Sequence, residues 1–137
     1  MNQTNVSNTS ILLLRIAVSG IFIAAGINHL QKPQGVAKRI LEAPSGEFLS
    51  FIADPYFLAL SSGVLLLFFG ITFLLGIYRR ISAIALFLLL LPITLTIQID
   101  GGILFGPLWK NVAIFGGLSF FIINKNLPSQ IFPKLQL

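Results

Sequence analysis

From Ile11 to Ile123 the chain consists largely of four apolar runs, each long enough to cross a hydrocarbon core of about 30 Å. In hydrocarbon no water satisfies a bare N–H or C=O, so a spanning segment bonds to itself as a helix or closes into a barrel. The runs are continuous and lack the alternation of short barrel strands. The expected fold is therefore all-α: an integral membrane four-helix transmembrane bundle, with a short interfacial amphipathic segment between helices 1 and 2. Composition agrees. The chain is 55% hydrophobic and 9% charged, against about 45–50% and about 25% in a soluble domain. A water-solvated surface cannot be covered with so few charges.

Residues 1–10 read as a disordered lead in which Thr9 or Ser10 caps the first helix. Residues 11–124 read as a single membrane domain with spans at about 11–30, 56–78, 81–99 and 107–123, and 125–137 as a tail along the membrane surface. The first ten residues hold no Lys or Arg, so the first run reads as a retained helix and not as a cleaved signal peptide. Pro33, Pro44 and Pro55 punctuate the one sizeable loop. Within it Val36, Ala37, Ile40 and Leu41 recur at helical spacing beside Lys38, Arg39 and Glu42, the pattern of a helix lying on the bilayer surface. Phe48 to Ala53 is expected to rest there too. Arg79-Arg80 joins the second and third spans with almost no loop, and Pro92 is expected to kink the third. Ala17, Gly20, Ala24, Gly26, Gly63, Gly70, Gly76, Gly116 and Gly117 are small enough for helices to approach closely.

The net charge of +5 does not point to nucleic acid, because the basic residues are scattered just beyond the apolar runs. Four spans put Arg15, Arg79, Arg80, Lys125 and Lys134 on one side, with no acid. Lys32, Lys38, Arg39 and Lys110 fall on the other side with Glu42, Glu47, Asp54 and Asp100. The Arg pair in its short turn favours both termini in the cytoplasm.

Side-chain chemistry is sparse. With no cysteine and a single histidine, the chain offers no disulfide, thiolate metal site or bis-histidine haem, and no catalytic residue or metal ligand set is assigned. One polar group stands out. Asn28 and His29 end the first span, Gln98 and Asp100 end the third, and Trp109, Lys110 and Asn111 open the fourth. Three helix ends at one face of a bundle can line a single pocket mouth, where His29, titrating near neutrality and paired with Asp100, can bond a quinone carbonyl and exchange a proton. The plainer reading is that these groups cap helices and meet lipid headgroups. Arg15 is the one charge well inside a run, and it is expected to snorkel to the cytoplasmic headgroups, the alternative being that it faces the bundle, bonded to backbone carbonyls or a lipid phosphate. Thr94 and Thr96 are expected to bond back to their own helix near Pro92, the alternative being a polar stripe beside a cavity.

Leu12-Leu13-Leu14-Arg15-Ile16-Ala17, Gly20-Ile21-Phe22 and Gly26-Ile27-Asn28-His29-Leu30-Gln31-Lys32-Pro33 follow one another in the first span. Leu75-Gly76-Ile77-Tyr78-Arg79-Arg80 closes the second, and Trp109-Lys110-Asn111-Val112-Ala113 with Gly116-Gly117 opens the fourth. In this order and spacing the chain resembles the DoxX/DoxX-like family of small four-helix membrane proteins, from about Leu12 to Ile123. The resemblance implies a prokaryotic inner, or equivalent energy-transducing, membrane and a link to quinone-dependent respiratory oxidoreductases. It implies an accessory or stabilising subunit of a larger membrane redox complex, without independent catalysis and without an intrinsic cofactor. Quinone, pigment or lipid from the partner complex is the ligand class left open. A quinone- or lipid-binding component of a membrane oxidoreductase is the alternative, and a homo-oligomeric small-solute transporter a third. No acidic residue lies between Pro55 and Ile99, so proton uptake by an intramembrane carboxylate there is not expected.

Overall fold

A computed structural model describes residues 5–98 and 102–127. In chain order the helices are α1 (Asn8–Gln31), α2 (Pro33–Glu42), α3 (Gly46–Ile52), α4 (Pro55–Leu75), α5 (Arg79–Ile93), which continues as a π-helical stretch Thr94–Gln98, and α6 (Gly106–Ile123). No strand occurs among the described residues. Four of the helices, Asn8–Gln31, Pro55–Leu75, Arg79–Thr96 and Gly106–Ile123, are long and apolar enough to cross a membrane. The protein is an integral membrane protein. Its outer surface carries Leu13, Ile16, Phe68, Leu88 and Val112, apolar side chains that meet lipid.

Helix ends follow local chemistry. Ser7 holds the cap position of α1 with extended backbone and no side-chain bond. The helix thus begins before Thr9 and Ser10, the caps expected from sequence. The first-turn N–H groups are unpaired in any helix, so polar residues are tolerated there. Asp54 caps α4, its Oδ2 accepting from the Phe57 N–H at 3.2 Å, and Pro55 follows at the first helical position. The second span stops short of Tyr78. Gly76 adopts φ +80°, and the N–H groups of Gly76 and Ile77 return to the carbonyls of Phe73 and Thr72, closing the last turn. A Cβ at that φ is strained. Gly76→Ala is expected to lower stability by about 1 kcal/mol, read by thermal unfolding in detergent.

Pro92 lies inside α5, one residue before its end. It lacks the N–H that would extend the helical ladder, and the chain passes into a wider π-helical register two residues later. Thr94 Oγ1 donates to Leu90 O at 2.8 Å and Thr96 Oγ1 to Pro92 O at 2.7 Å, so both hydroxyls bond back to their own helix.

The core lies between α1, α4, α5 and α6, where Phe22, Leu66, Phe73, Leu86, Leu118 and Phe121 are buried. Phe73 and Phe121 meet edge to face at 5.0 Å. The α1–α4 contact is the most extensive. A Cβ on Gly26 would stand 2.8 Å from Leu67 N and 2.9 Å from Gly63 O, so the backbones touch there. Helices in lipid gain nothing from excluding water and rely on such approach. The pair α2–α3 folds back over α4. Val36 and Ala37 are buried, while Lys38 and Glu42 pair on the outside at 3.7 Å. Phe48, Phe51 and Ile52 of α3 are bare, which suits a segment resting among headgroups.

Candidate functional site

Gly26 and Gly63 decide where His29 sits. A Cβ on Gly63 would fall 2.8 Å from His29 Cβ, so only a glycine lets the imidazole reach α4 at this level. His29 Nδ1 lies 2.9 Å from Ser62 Oγ, and Ser62 Oγ donates to Ala59 O at 3.0 Å. A hydroxyl has one hydrogen, which here serves either Ala59 O or His29 Nδ1. With that proton on Ala59 O, His29 Nδ1 donates to Ser62, and Nε2 of the neutral ring keeps a free lone pair. This tautomer is assigned from the hydrogen-bond network.

Two cavities meet at His29. The first, of about 220 Å³, lies beneath α2 and α3 and is bounded by Arg39, Ile40, Leu49 and Ser62 on one side and Leu89, Pro92 and Thr96 on the other. The second, of about 180 Å³, lies between the spanning helices and is lined by Phe22, Asn28, Leu66, Lys110, Asn111 and Ile114. His29, Arg39 and Ile93 belong to both. The arrangement is a pair of clefts, the first mainly apolar, whose polar groups are one imidazole, two cations, two amides and the hydroxyls of Ser62 and Thr96, with Asn28, Arg39 and Lys110 at the exposed mouth. Such a pair holds an apolar body and fixes a polar head.

Asn111 is buried at 3% exposure, and its Nδ2 donates to Thr94 Oγ1 at 2.9 Å. That bond ties α6 to the π-helical stretch and turns the amide toward the second cavity.

Four of the residues singled out from sequence, Asn28, His29, Lys110 and Asn111, therefore line one cavity. Trp109 does not join them. Its indole N–H donates to Ile103 O at 2.6 Å and the ring is exposed, because successive helical positions point to different faces. Asp100 lies outside the described residues, as do the side chain of Gln98 and the tail beyond Leu127 with Lys134. Arg15 departs from expectation. It is 1% exposed and enclosed by the bundle, so it does not snorkel. Its place on α1, one turn before buried Ser19, turns it inward; Ser19 Oγ donates to Arg15 O at 2.6 Å.

Sequence reasoning missed Arg39 and Ser62. Arg39 sits on the polar face of an amphipathic helix, where a solvated charge is the ordinary reading. Ser62 precedes Gly63, and the only available signal was that a small residue at a close crossing brings its neighbour near the facing helix.

The sequence model of the DoxX family matches residues 10–99, well over half of the chain. The chain belongs to the DoxX family. No curated protein and no solved structure matches it. The DoxX match covers Asn28, His29, Arg39, Ser62 and Thr94. Lys110 and Asn111, which complete the second cavity, lie beyond it, as do the fourth-helix motifs on which part of the sequence resemblance rests.

Proposed function

We propose that this DoxX-family protein is the quinone-binding component of a larger membrane oxidoreductase, holding the head of the quinone or quinol at His29. The observation that carries this reading is the position of the imidazole in the wall between two cavities, with Nδ1 engaged by Ser62 and Nε2 left as an acceptor. An acceptor at that point matches the hydroxyl of a quinol better than a carbonyl. Arg39, Lys110 and Asn28 supply donors for the carbonyl of the oxidised form. Each cavity is smaller than the roughly 300 Å³ at which small-molecule pockets usually begin. The head ring alone is therefore enclosed, and an isoprenoid tail runs out along the lipid-facing helices.

His29 binds and orients the quinol and accepts one of its two protons, the second leaving to water at the cavity mouth as the oxidising partner takes both electrons. The electrons pass to a partner, since the chain brings no cysteine and no second histidine with which to hold a metal or cluster of its own. This is the sense in which the protein works as a subunit, in a bacterial inner membrane with both termini cytoplasmic.

The test is quinone content. Protein extracted from native membranes in mild detergent is dissolved in organic solvent, and quinone per polypeptide is measured by mass spectrometry. Wild type is expected to carry bound quinone, and His29→Ala to lose at least about tenfold, the worth of one buried hydrogen bond. Quinone at unchanged stoichiometry in His29→Ala would remove the imidazole from the site. Blue-native electrophoresis reads the assembly separately, as co-migration with a respiratory complex.

A further inference from the structure

The end of the bundle opposite His29 holds a second polar feature. Arg15 is 1% exposed, yet its Nε and Nη1 have no hydrogen-bond partner among the described residues. Arg79, at the start of α5, lies within Coulombic range of Arg15. The Nε and Nη1 of Arg79 are likewise enclosed and unpartnered, and only its Nη2 is used, on Lys125 O at 3.4 Å. At this end of the bundle two guanidinium groups, Arg15 fully buried and Arg79 partly so, thus hold four enclosed nitrogens with no partner among the described residues.

An arginine cannot escape by losing its proton. A buried charge needs an opposite charge and hydrogen bonds, and two like charges side by side need them more. Among the described residues no acid lies here. Glu42 and Glu47 belong to α2 and α3 at the other end, Asp54 caps α4 there, and Asp100 follows the far end of α5 in sequence. The exposed neighbours, Arg80 and Lys125, add positive charge. The compensating anion must come from outside the described chain.

We infer that Arg15 and Arg79 form an anion site that takes a phosphate group. The guanidinium fork matches phosphate oxygens in pairs, and four free N–H-bearing nitrogens suit one tetrahedral anion. Arg15 stands about 10 Å of helical rise inside the start of α1, at 1.5 Å per residue, and Arg79 stands at the start of α5. The site lies between these levels. The site is independent of the quinone reading, being at the other end of the bundle.

The experiment uses the full chain, purified in detergent and stripped of lipid by prolonged washing. Thermal unfolding is followed while dioleoylphosphatidylglycerol or, separately, inorganic phosphate is added. Wild type is expected to show a saturable rise in Tm. A rise with the phospholipid alone identifies a headgroup phosphate as the ligand, and a rise with inorganic phosphate identifies a free anion. Arg15→Gln and Arg79→Gln are each expected to weaken the response at least about tenfold, and Arg80→Gln to leave it unchanged. If Arg15→Gln does not fold, Arg79→Gln carries the comparison alone. The inference is overturned if neither probe gives a saturable rise in wild type, or if Arg79→Gln responds like wild type.

Discussion

Gly63→Val is expected to destabilise the protein by about 3 kcal/mol, the upper end of what overpacking costs. The reason is the neighbour met by the first added carbon. At Gly63 it stands 2.8 Å from His29 Cβ and 3.2 Å from Gly26 O, and backbone cannot rotate away as the end of a long side chain can. α1 and α4 must separate. The His29–Ser62 bond of 2.9 Å then opens, so bound quinone should fall together with stability. Titration with a denaturing detergent, followed through the fluorescence of the single tryptophan, measures the first effect, and solvent extraction measures the second. Gly20→Val is the control. Nothing lies within 4 Å of a Cβ there, and its cost is expected to stay below about 1 kcal/mol, the ordinary propensity difference. Equal losses in both variants would show that the α1–α4 crossing is not what holds the bundle.

The second large effect is expected from Phe73→Ala. Phe73 is fully buried and meets Phe121 edge to face at 5.0 Å, joining α4 to α6 across the core. In a water-soluble protein this change costs about 3–5 kcal/mol. Part of that figure is transfer from water, which largely disappears when the unfolded reference also lies in lipid. The cavity part survives. At about 24 cal/mol per Å³ over the roughly 100 Å³ removed, it leaves about 2–3 kcal/mol. The same denaturing titration reads it. Phe68→Ala, on the exposed side of α4, removes the same volume with little effect, because lipid fills the space. A Phe73→Ala variant as stable as wild type would mean that packing inside this bundle does not discriminate between side chains.

Spanning helices were legible because the medium leaves the backbone no alternative. The amphipathic character of α2 was legible from the helical spacing of Val36, Ala37, Ile40 and Leu41, of which the first two are buried, Ile40 is half-buried and Leu41 is exposed. Helix ends were less so. Gly76 was visible as a small residue, but its left-handed φ, which stops α4 before Tyr78, depends on the turn that follows. For the candidate site, Asn28, His29, Lys110 and Asn111 could be grouped because helix ends of one sign of direction must share a face. Trp109 was grouped with them by sequence adjacency, and helical rotation separates it. Arg39 and Ser62 could not be grouped, because their relation to His29 runs through two chain reversals.

Residue types and their order alone determined that the protein lives in a bilayer, crosses it with four helices and carries its few polar groups near helix ends. Only the tertiary structure decided which face of each helix turns inward. That choice makes Arg15 an enclosed charge instead of a snorkelling one, and it sets His29 between two cavities. The physical reason is that hydropathy acts through summed transfer from water, which hardly distinguishes one side of an all-apolar helix from another. Inward faces are selected by close fit, through Gly26 against Gly63 and Phe73 against Phe121, and fit is a property of pairs of surfaces that no single segment contains.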